Sequence, residues 1–448
     1  MRRTAIKGRV KAALLLPLLT FAASGAASAQ MPAPQQPHFK PHALVRATRP
    51  EDVGFDSERL KRLENYVQDF VDNSKLAGLT TLVARHGKIV QAKTYGRKTV
   101  DGPPMTMDTI FRIYSMSKPV TGVALMMLFE EGKFRLDDPV TRFLPEFKNL
   151  KVLTGTDAQG NATFEDAKKP PTIRQLMSHT AGYGYGLSND SQADKIYRAN
   201  AALTSANMDE FIRRAAKLPL VYQAGTSFEY SIAADIQGAL VERISGQKFG
   251  DFLRDRIFRP LKMNDTGFNV STEKLGRLAG LYNGMKDGRL QDAPTVFGWP
   301  RPDPSQPVGF ESGGAGLYST TMDYARFCQM LLNGGELDGV RILAPATVAL
   351  MATNHEPKDA LDKGAGGFNA TRSFGLDFEV LNDPAAAGSI AGKGTFSWGG
   401  AAGTWFWIDP TNDVIAVGMV QRFDYWEPDH PNNMGRLLVY QALTHPEL

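Results

Sequence analysis

Phe111-Arg112-Ile113-Tyr114-Ser115-Met116-Ser117-Lys118-Pro119-Val120 is the stretch on which the reading of this chain turns. Residues 120–129, which follow, are apolar nearly all round, the pattern of a helix buried in a core. Ser115 then falls in the first turn and Lys118 three residues on, on the same helix face, so the amine can reach the hydroxyl. Pro119 is tolerated there because first-turn amides have no partner within the helix. Gly132 offers a C-terminal cap. A serine hydroxyl becomes a useful nucleophile only when a neighbouring base takes its proton. For Lys118 to serve, its pKa is expected to fall, as burial and the positive end of the helix dipole both favour.

The bare Ser-x-x-Lys spacing does not select a nucleophile, because it recurs at Ser245–Lys248 and Ser271–Lys274. Context separates the three. Ser245 reads as the turn ending a helix and Ser271 as an exposed polar helix start, so only Ser115 opens a buried helix.

Working outward to the start, Arg2, Arg3, Lys7, Arg9 and Lys11 precede an apolar run, residues 12–23, too short to span a bilayer. Ala27-Ser28-Ala29 completes a signal-peptide pattern over residues 1–29, with cleavage expected after Ala29. General secretion fits better than twin-arginine export, since Thr4-Ala5-Ile6 suits the latter poorly. The mature chain is therefore expected in the periplasm or outside the cell, without a membrane anchor. Its one cysteine, Cys328, is far from the cleavage point and cannot form an internal disulfide.

The leading segment holds five basic and no acidic residues, so its removal takes the formal charge from +4 to −1. That balance argues against nucleic acid or an anionic surface as partner. No His, Cys or carboxylate group has metal-ligand spacing, and no Gly-rich loop follows a strand, so neither metal nor cofactor is expected.

Residues 30–50 carry five prolines and read as an extended tether. Asp56 caps a helix whose Leu60, Leu63, Val67, Phe70 and Val71 share a face. Strands over 79–85 and 89–95 meet at His86-Gly87-Lys88, which leaves His86 solvated at a hairpin tip. Strand-like runs return at 374–380, 404–408 and 414–420, and a helix over 433–443 closes the chain. Cys328 lies in a helical pattern, as a small buried residue. Residues 51–448 thus predict an α/β fold of the α+β type. Its antiparallel sheet, from 51–135 and 311–448, is flanked by helices and interrupted by a helical insertion over 136–310.

Together these blocks resemble the serine β-lactamase and penicillin-binding-protein superfamily, in its class C-like branch with the family VIII carboxylesterases. The likeness rests on Phe111 to Lys118, on Leu136-Asp137-Asp138-Pro139-Val140, and on the stretch from Thr172 to Gly182. It rests also on Tyr230-Ser231-Ile232, on Gly313 to Thr320, and on Trp398-Gly399-Gly400. The resemblance implies Ser115 as the acylated nucleophile, Lys118 as the group that holds or shuttles its proton, and Tyr230 as the second proton-transfer group. It implies an oxyanion hole from the backbone N–H groups of Ser115 and Ala401, each donor typically worth ~3–4 kcal/mol. Trp398, Gly399, Gly400, Ile232 and Tyr114 would line the substrate site, with Tyr183 and Tyr185 either lining or packing.

The departures point to the substrate. Trp398 stands where β-lactamases carry the lysine of Lys-Thr-Gly, and Ile232 where they carry the Asn of Tyr-x-Asn. Both changes remove polar recognition, which favours a neutral ester over a charged lactam. The expectation is a secreted serine carboxylesterase for short- to medium-chain acyl groups. A β-lactamase, a D-amino-acid peptidase or amidase, an acyltransferase, or a non-catalytic cell-wall-binding relative are the alternatives on the same fold. His179 invites a triad reading, but no Gly-x-Ser-x-Gly elbow exists in the chain. It reads as a structural residue hydrogen-bonded to backbone.

Overall fold

The hairpin expected over residues 79–95 is the seed of the main sheet. The computed structural model describes residues 39, 41–188, 190–362, 364–423 and 430–445. The expected signal segment and the tether up to residue 38 lie outside those residues. Strand β1 is Val45–Arg46, β2 Gly78–Arg85 and β3 Lys88–Gly96. From the second half come β4 (Arg372–Phe374), β5 (Glu379–Leu381), β6 (Phe396–Gly399), β7 (Trp405–Asp409) and β8 (Val414–Met419). They assemble in the order β1-β3-β2-β8-β7-β6-β5-β4, so the two ends of the chain meet where β2 pairs with β8.

Alternation decides which residue faces which layer. Leu82, Ala84, Phe406, Ile408, Ile415 and Val417 belong to one core, and Leu79, Val83, Trp405, Trp407, Val414 and Ala416 to the other. Helix α1 (Ser57–Asp72) covers the second face together with the closing helix, Pro431–Tyr440. Asp56 caps α1 as expected, its carboxylate accepting from the Arg59 amide at 2.9 Å. Helix α2 (Ser117–Glu130) lies in the first core, where every residue from Ser117 to Leu128 is buried. That is why its sequence is apolar on all sides. It packs on α3 (Ala233–Ser245), and α4 (Thr321–Leu332) lies against β7 and β8. Cys328 is buried in α4, and burial pushes its thiol pKa up.

Several expectations need correction. The run 374–380 is two strands, because Asp377 takes a left-handed backbone (φ 64°) and turns the chain between β4 and β5. Residues 41–50 are not a free tether: β1 pairs in parallel with β3, so the sheet is not wholly antiparallel. The insertion 136–310 carries hairpins as well as helices, at Lys151–Thr156 with Ala162–Asp166 and at Tyr282–Lys286 with Arg289–Asp292. His86 is not merely solvated, since its Nδ1 lies 2.6 Å from Asp413 Oδ2. Among the described residues no helix is long and apolar enough to cross a membrane.

Candidate active site

Ser115 sits in a single 3-10 turn, Tyr114–Met116, immediately before α2. The turn is clamped from several directions. Phe111–Arg112 pairs with Tyr318–Ser319, and the Ile113 amide donates to the Leu317 carbonyl at 3.0 Å. The buried Tyr324 hydroxyl donates to the Met116 carbonyl at 2.9 Å. Tyr114 is held at φ 43°, a left-handed conformation that costs a non-glycine residue about 1–3 kcal/mol. That strain sits beside the half-buried Ser115.

Lys118 is fully buried, and its Nζ lies 3.2 Å from Ser115 Oγ. It also donates to the Gly314 carbonyl at 2.8 Å and to the Tyr185 hydroxyl at 3.3 Å. The ammonium stands over the Tyr230 ring, 4.5 Å from its centroid. The expected fall in the Lys118 pKa is not found. Desolvation does press it down, but Tyr185, Tyr230 and Asp235 together outweigh burial, and the pKa is raised.

Tyr230 approaches from the residues preceding α3. Its hydroxyl accepts from Trp398 Nε1 at 3.3 Å, and its ring lies 5.5 Å from that of Trp398. Trp398 thus steers the phenol as well as walling the site. Beyond Trp398, Gly400 brings the end of β6 against the turn that carries Ser115. A Cβ there would lie 2.3 Å from the Ile113 carbonyl oxygen. This close approach sets the next residue, Ala401, at the mouth, where its amide has no acceptor among the described residues. Ser115, Tyr114, Tyr230, Trp398, Gly399, Gly400 and Ala401 all line one cavity of 1830 Å³. Leu187, Phe268, Val308 and Phe310 supply apolar wall.

Ile232 is the expectation that geometry corrects. Its side chain is buried in the main core, just ahead of α3, and does not line that cavity. An apolar residue suits that place because it faces core rather than substrate. His179 is structural in position but not as expected: its Nδ1 lies 3.1 Å from the Ser231 hydroxyl, not a backbone group. Burial and the Lys118 ammonium hold the imidazole pKa well below its ordinary value.

Tyr185 was left open between lining and packing, and Asp235 was not assigned from sequence. Tyr185 lines the cavity and touches Lys118, while burial raises its phenol pKa and keeps it protonated. Asp235, buried in α3, accepts from Ser312 Oγ at 2.5 Å and from the Gly314 amide at 3.0 Å. It thereby fixes the peptide whose carbonyl holds Lys118. A Cβ on Gly314 would come within 2.6 Å of Asp235 Oδ2, so only glycine fits. The available signal was a lone carboxylate within residues 232–241, otherwise almost wholly apolar.

The beta-lactamase family model matches residues 63–441. The chain belongs to the beta-lactamase family. Within this family it is 38% identical over 362 residues to an uncharacterized protein of Mycobacterium tuberculosis, covering 79% of this chain and 88% of that one. Esterase EstB of Burkholderia gladioli is 33% identical over 362 residues, with 77% of this chain and 86% of the relative covered. Among solved structures, EstCE1, titled a hydrolase with promiscuous acyltransferase activity, aligns with a TM-score of 0.70 at 28% identity. That alignment covers 86% of this chain and 99% of EstCE1. This beta-lactamase-family chain is a serine hydrolase of the β-lactamase and transpeptidase fold.

Proposed function

We propose that the protein is a secreted carboxylesterase that cleaves short- to medium-chain esters through an acyl-enzyme on Ser115. The observation that carries this reading is Ser115, which lines a largely apolar cavity walled by Trp398, with Lys118 Nζ buried behind it 3.2 Å from its Oγ. Ser115 Oγ attacks the ester carbonyl carbon. The serine proton passes to the Lys118–Tyr230 pair, which serves as the base once it has given one of its own protons to solvent, and from there to the departing alcohol oxygen. The amides of Ser115 and Ala401 take the developing oxyanion, aided by the N-terminal end of α2. Water then attacks the acyl carbon, gives its proton to Tyr230, and Ser115 leaves with that proton restored. No cofactor, nucleic acid or membrane anchor enters the scheme.

The similarity to EstB supports the ester, and the printed description of EstCE1 favours one second reading, transfer of the acyl group to an alcohol other than water. Incubation with p-nitrophenyl butyrate and trapping of a butyryl group on the Ser115 peptide by mass spectrometry tests the first. A rate of nitrophenol release that rises with added methanol, with methyl butyrate as product, selects the second. Export is tested by N-terminal sequencing of the protein recovered outside the cytoplasm, which should begin at Gln30. An intact Met1 there would refute the cleavage site.

A further inference from the structure

Ser115 lies at one end of the sheet. At the other end, three side chains widely separated in the sequence converge. His42 precedes β1, His86 sits in the turn between β2 and β3, and Asp413 in the turn between β7 and β8. His42 Nε2 is 3.2 Å from Asp413 Oδ2, and His86 Nδ1 is 2.6 Å from the same oxygen. One donor atom of each residue lies within 4.8 Å of the other two. The backbones are pinned independently of the side chains. The His42 amide donates to Asn333 Oδ1 at 3.1 Å, and Asn333 Nδ2 donates back to the His42 carbonyl at 2.8 Å. The His86 amide donates to the Asp413 carbonyl at 3.1 Å. A second observation is independent of this clustering: His42 Nε2 is buried yet makes no hydrogen bond, despite its approach to the carboxylate.

We propose that His42, His86 and Asp413 form a structural site for a divalent transition-metal ion of the zinc class. Two imidazole nitrogens and one carboxylate oxygen are donors zinc takes readily, with water completing four-coordination. Bonds of ~2.0–2.1 Å in a tetrahedron put neighbouring donors roughly 3.3 Å apart. The His42–Asp413 separation already matches. The shorter His86–Asp413 contact opens by less than about 1 Å as the metal takes Nδ1, and the neutral imidazole keeps its one proton on Nε2. The ion ties the segment before β1 to two turns of the sheet, reinforcing a parallel pairing only two residues long. The five residues of β7 separate this site from the catalytic end by roughly 15 Å. The ion therefore acts on stability, not on ester chemistry.

The test uses the mature chain without a histidine tag, dialysed against EDTA and titrated with zinc chloride by calorimetry and thermal melting. One zinc per chain is expected, with Tm raised by about 3 °C at a hundredfold excess over Kd. The rate on p-nitrophenyl butyrate should not change. His42→Ala and His86→Asn should each weaken zinc binding at least ~10-fold. Asparagine suits the left-handed backbone of His86 (φ 51°), which guards against misfolding. Cobalt(II) chloride added to the wild type gives a reading that needs no variant: intense visible bands of a tetrahedral N/O site. Absence of stoichiometric binding, undiminished binding in both folded variants, or a pale octahedral cobalt spectrum would each overturn the proposal.

Discussion

Burial presses the Lys118 pKa down and Tyr185, Tyr230 and Asp235 raise it, so in the proposed reaction Lys118 and Tyr230 act as one proton-transfer pair. Lys118→Met and Tyr230→Phe are each expected to lower kcat by at least ~100-fold, the usual scale of acid–base assistance. Circular dichroism should show both folded, and wild-type kcat in either would remove that residue from the proton path. Ser115→Ala should abolish hydrolysis, whereas Ser245→Ala and Ser271→Ala should leave it intact. Ser245 ends α3, and Ser271 precedes a short 3-10 helix, Thr272–Arg277. Activity lost in either of those two would reopen the choice of nucleophile. His179 has its basicity suppressed by burial and by Lys118, the opposite of what a general base needs. His179→Asn, compatible with the φ of 53° there, should lose thermal stability and keep most activity. A well-folded, inactive variant would restore a histidine mechanism. Ser115 and Lys118 were legible because their spacing is local and their helix is apolar. Asp235 was not, because it acts through the Gly314 peptide, 79 residues away, and no local pattern encodes such a contact.

Elements were legible where local signals agreed. Helix α1 announces itself by cap and periodicity, and the β2–β3 hairpin by its turn. The break between β4 and β5 was hidden because an apolar run with one aspartate reads as continuous strand. Only the left-handed Asp377, its carboxylate accepting from Gln237 at 3.1 Å, makes the turn. Strand β1 was hidden because two residues pair only once a distant edge exists to receive them. The same region of the sheet carries a pH dependence. Glu356 Oε1 accepts from the Phe374 amide at 2.6 Å, at the end of β4, while Oε2 is buried without a partner. Burial raises its pKa from 4.5 to about 7. Because the folded value lies above the unfolded one, the folded state keeps a proton that the unfolded chain has released. That contribution is complete below pH 4.5 and is lost as pH rises through about 7. The full swing is on the order of 3 kcal/mol. Glu356→Gln keeps the hydrogen bond and removes the titration, so calorimetry should show a flatter Tm profile across that window. It should also be more stable than wild type at pH 8. Parallel profiles for the two proteins would show that Glu356 ionises normally.

At the scale of the whole molecule, the distribution of cations around the cavity bears on ester against lactam. A lactam brings a carboxylate that needs a free positive charge near the acyl carbon. Trp398 stands where the family's lysine would supply it. Lys393, close in sequence, is exposed at the far end of the sheet, where its carbonyl accepts from Thr411 Oγ1 at 2.7 Å. Of the arginines that line the cavity, Arg301 is paired with Asp292 at 3.0 Å and Arg372 with Glu379 at 2.7 Å. Arg112 donates to the Ala279 carbonyl at 3.2 Å, and Arg436 lies over the Trp407 ring, 5.1 Å from its centroid. A charged hydrogen bond to a substrate carboxylate contributes ~1.5–3 kcal/mol, so its loss weakens lactam capture by roughly 10- to 100-fold. The higher reactivity of an activated ester adds to that difference. The ratio of kcat/KM for p-nitrophenyl butyrate to that for nitrocefin is therefore expected to be at least ~1000. Trp398→Lys should narrow the ratio by supplying a cation for the lactam. It also deletes the indole N–H that steers the Tyr230 hydroxyl, which should slow both substrates alike. Trp398→Phe separates the two effects, since it loses the hydrogen bond without adding charge. Equal losses on both substrates are expected from it, and only the lysine variant should move the ratio. Comparable turnover of both substrates by the wild type would mean that one of the cavity arginines binds the lactam carboxylate, and the assignment to neutral esters would fall.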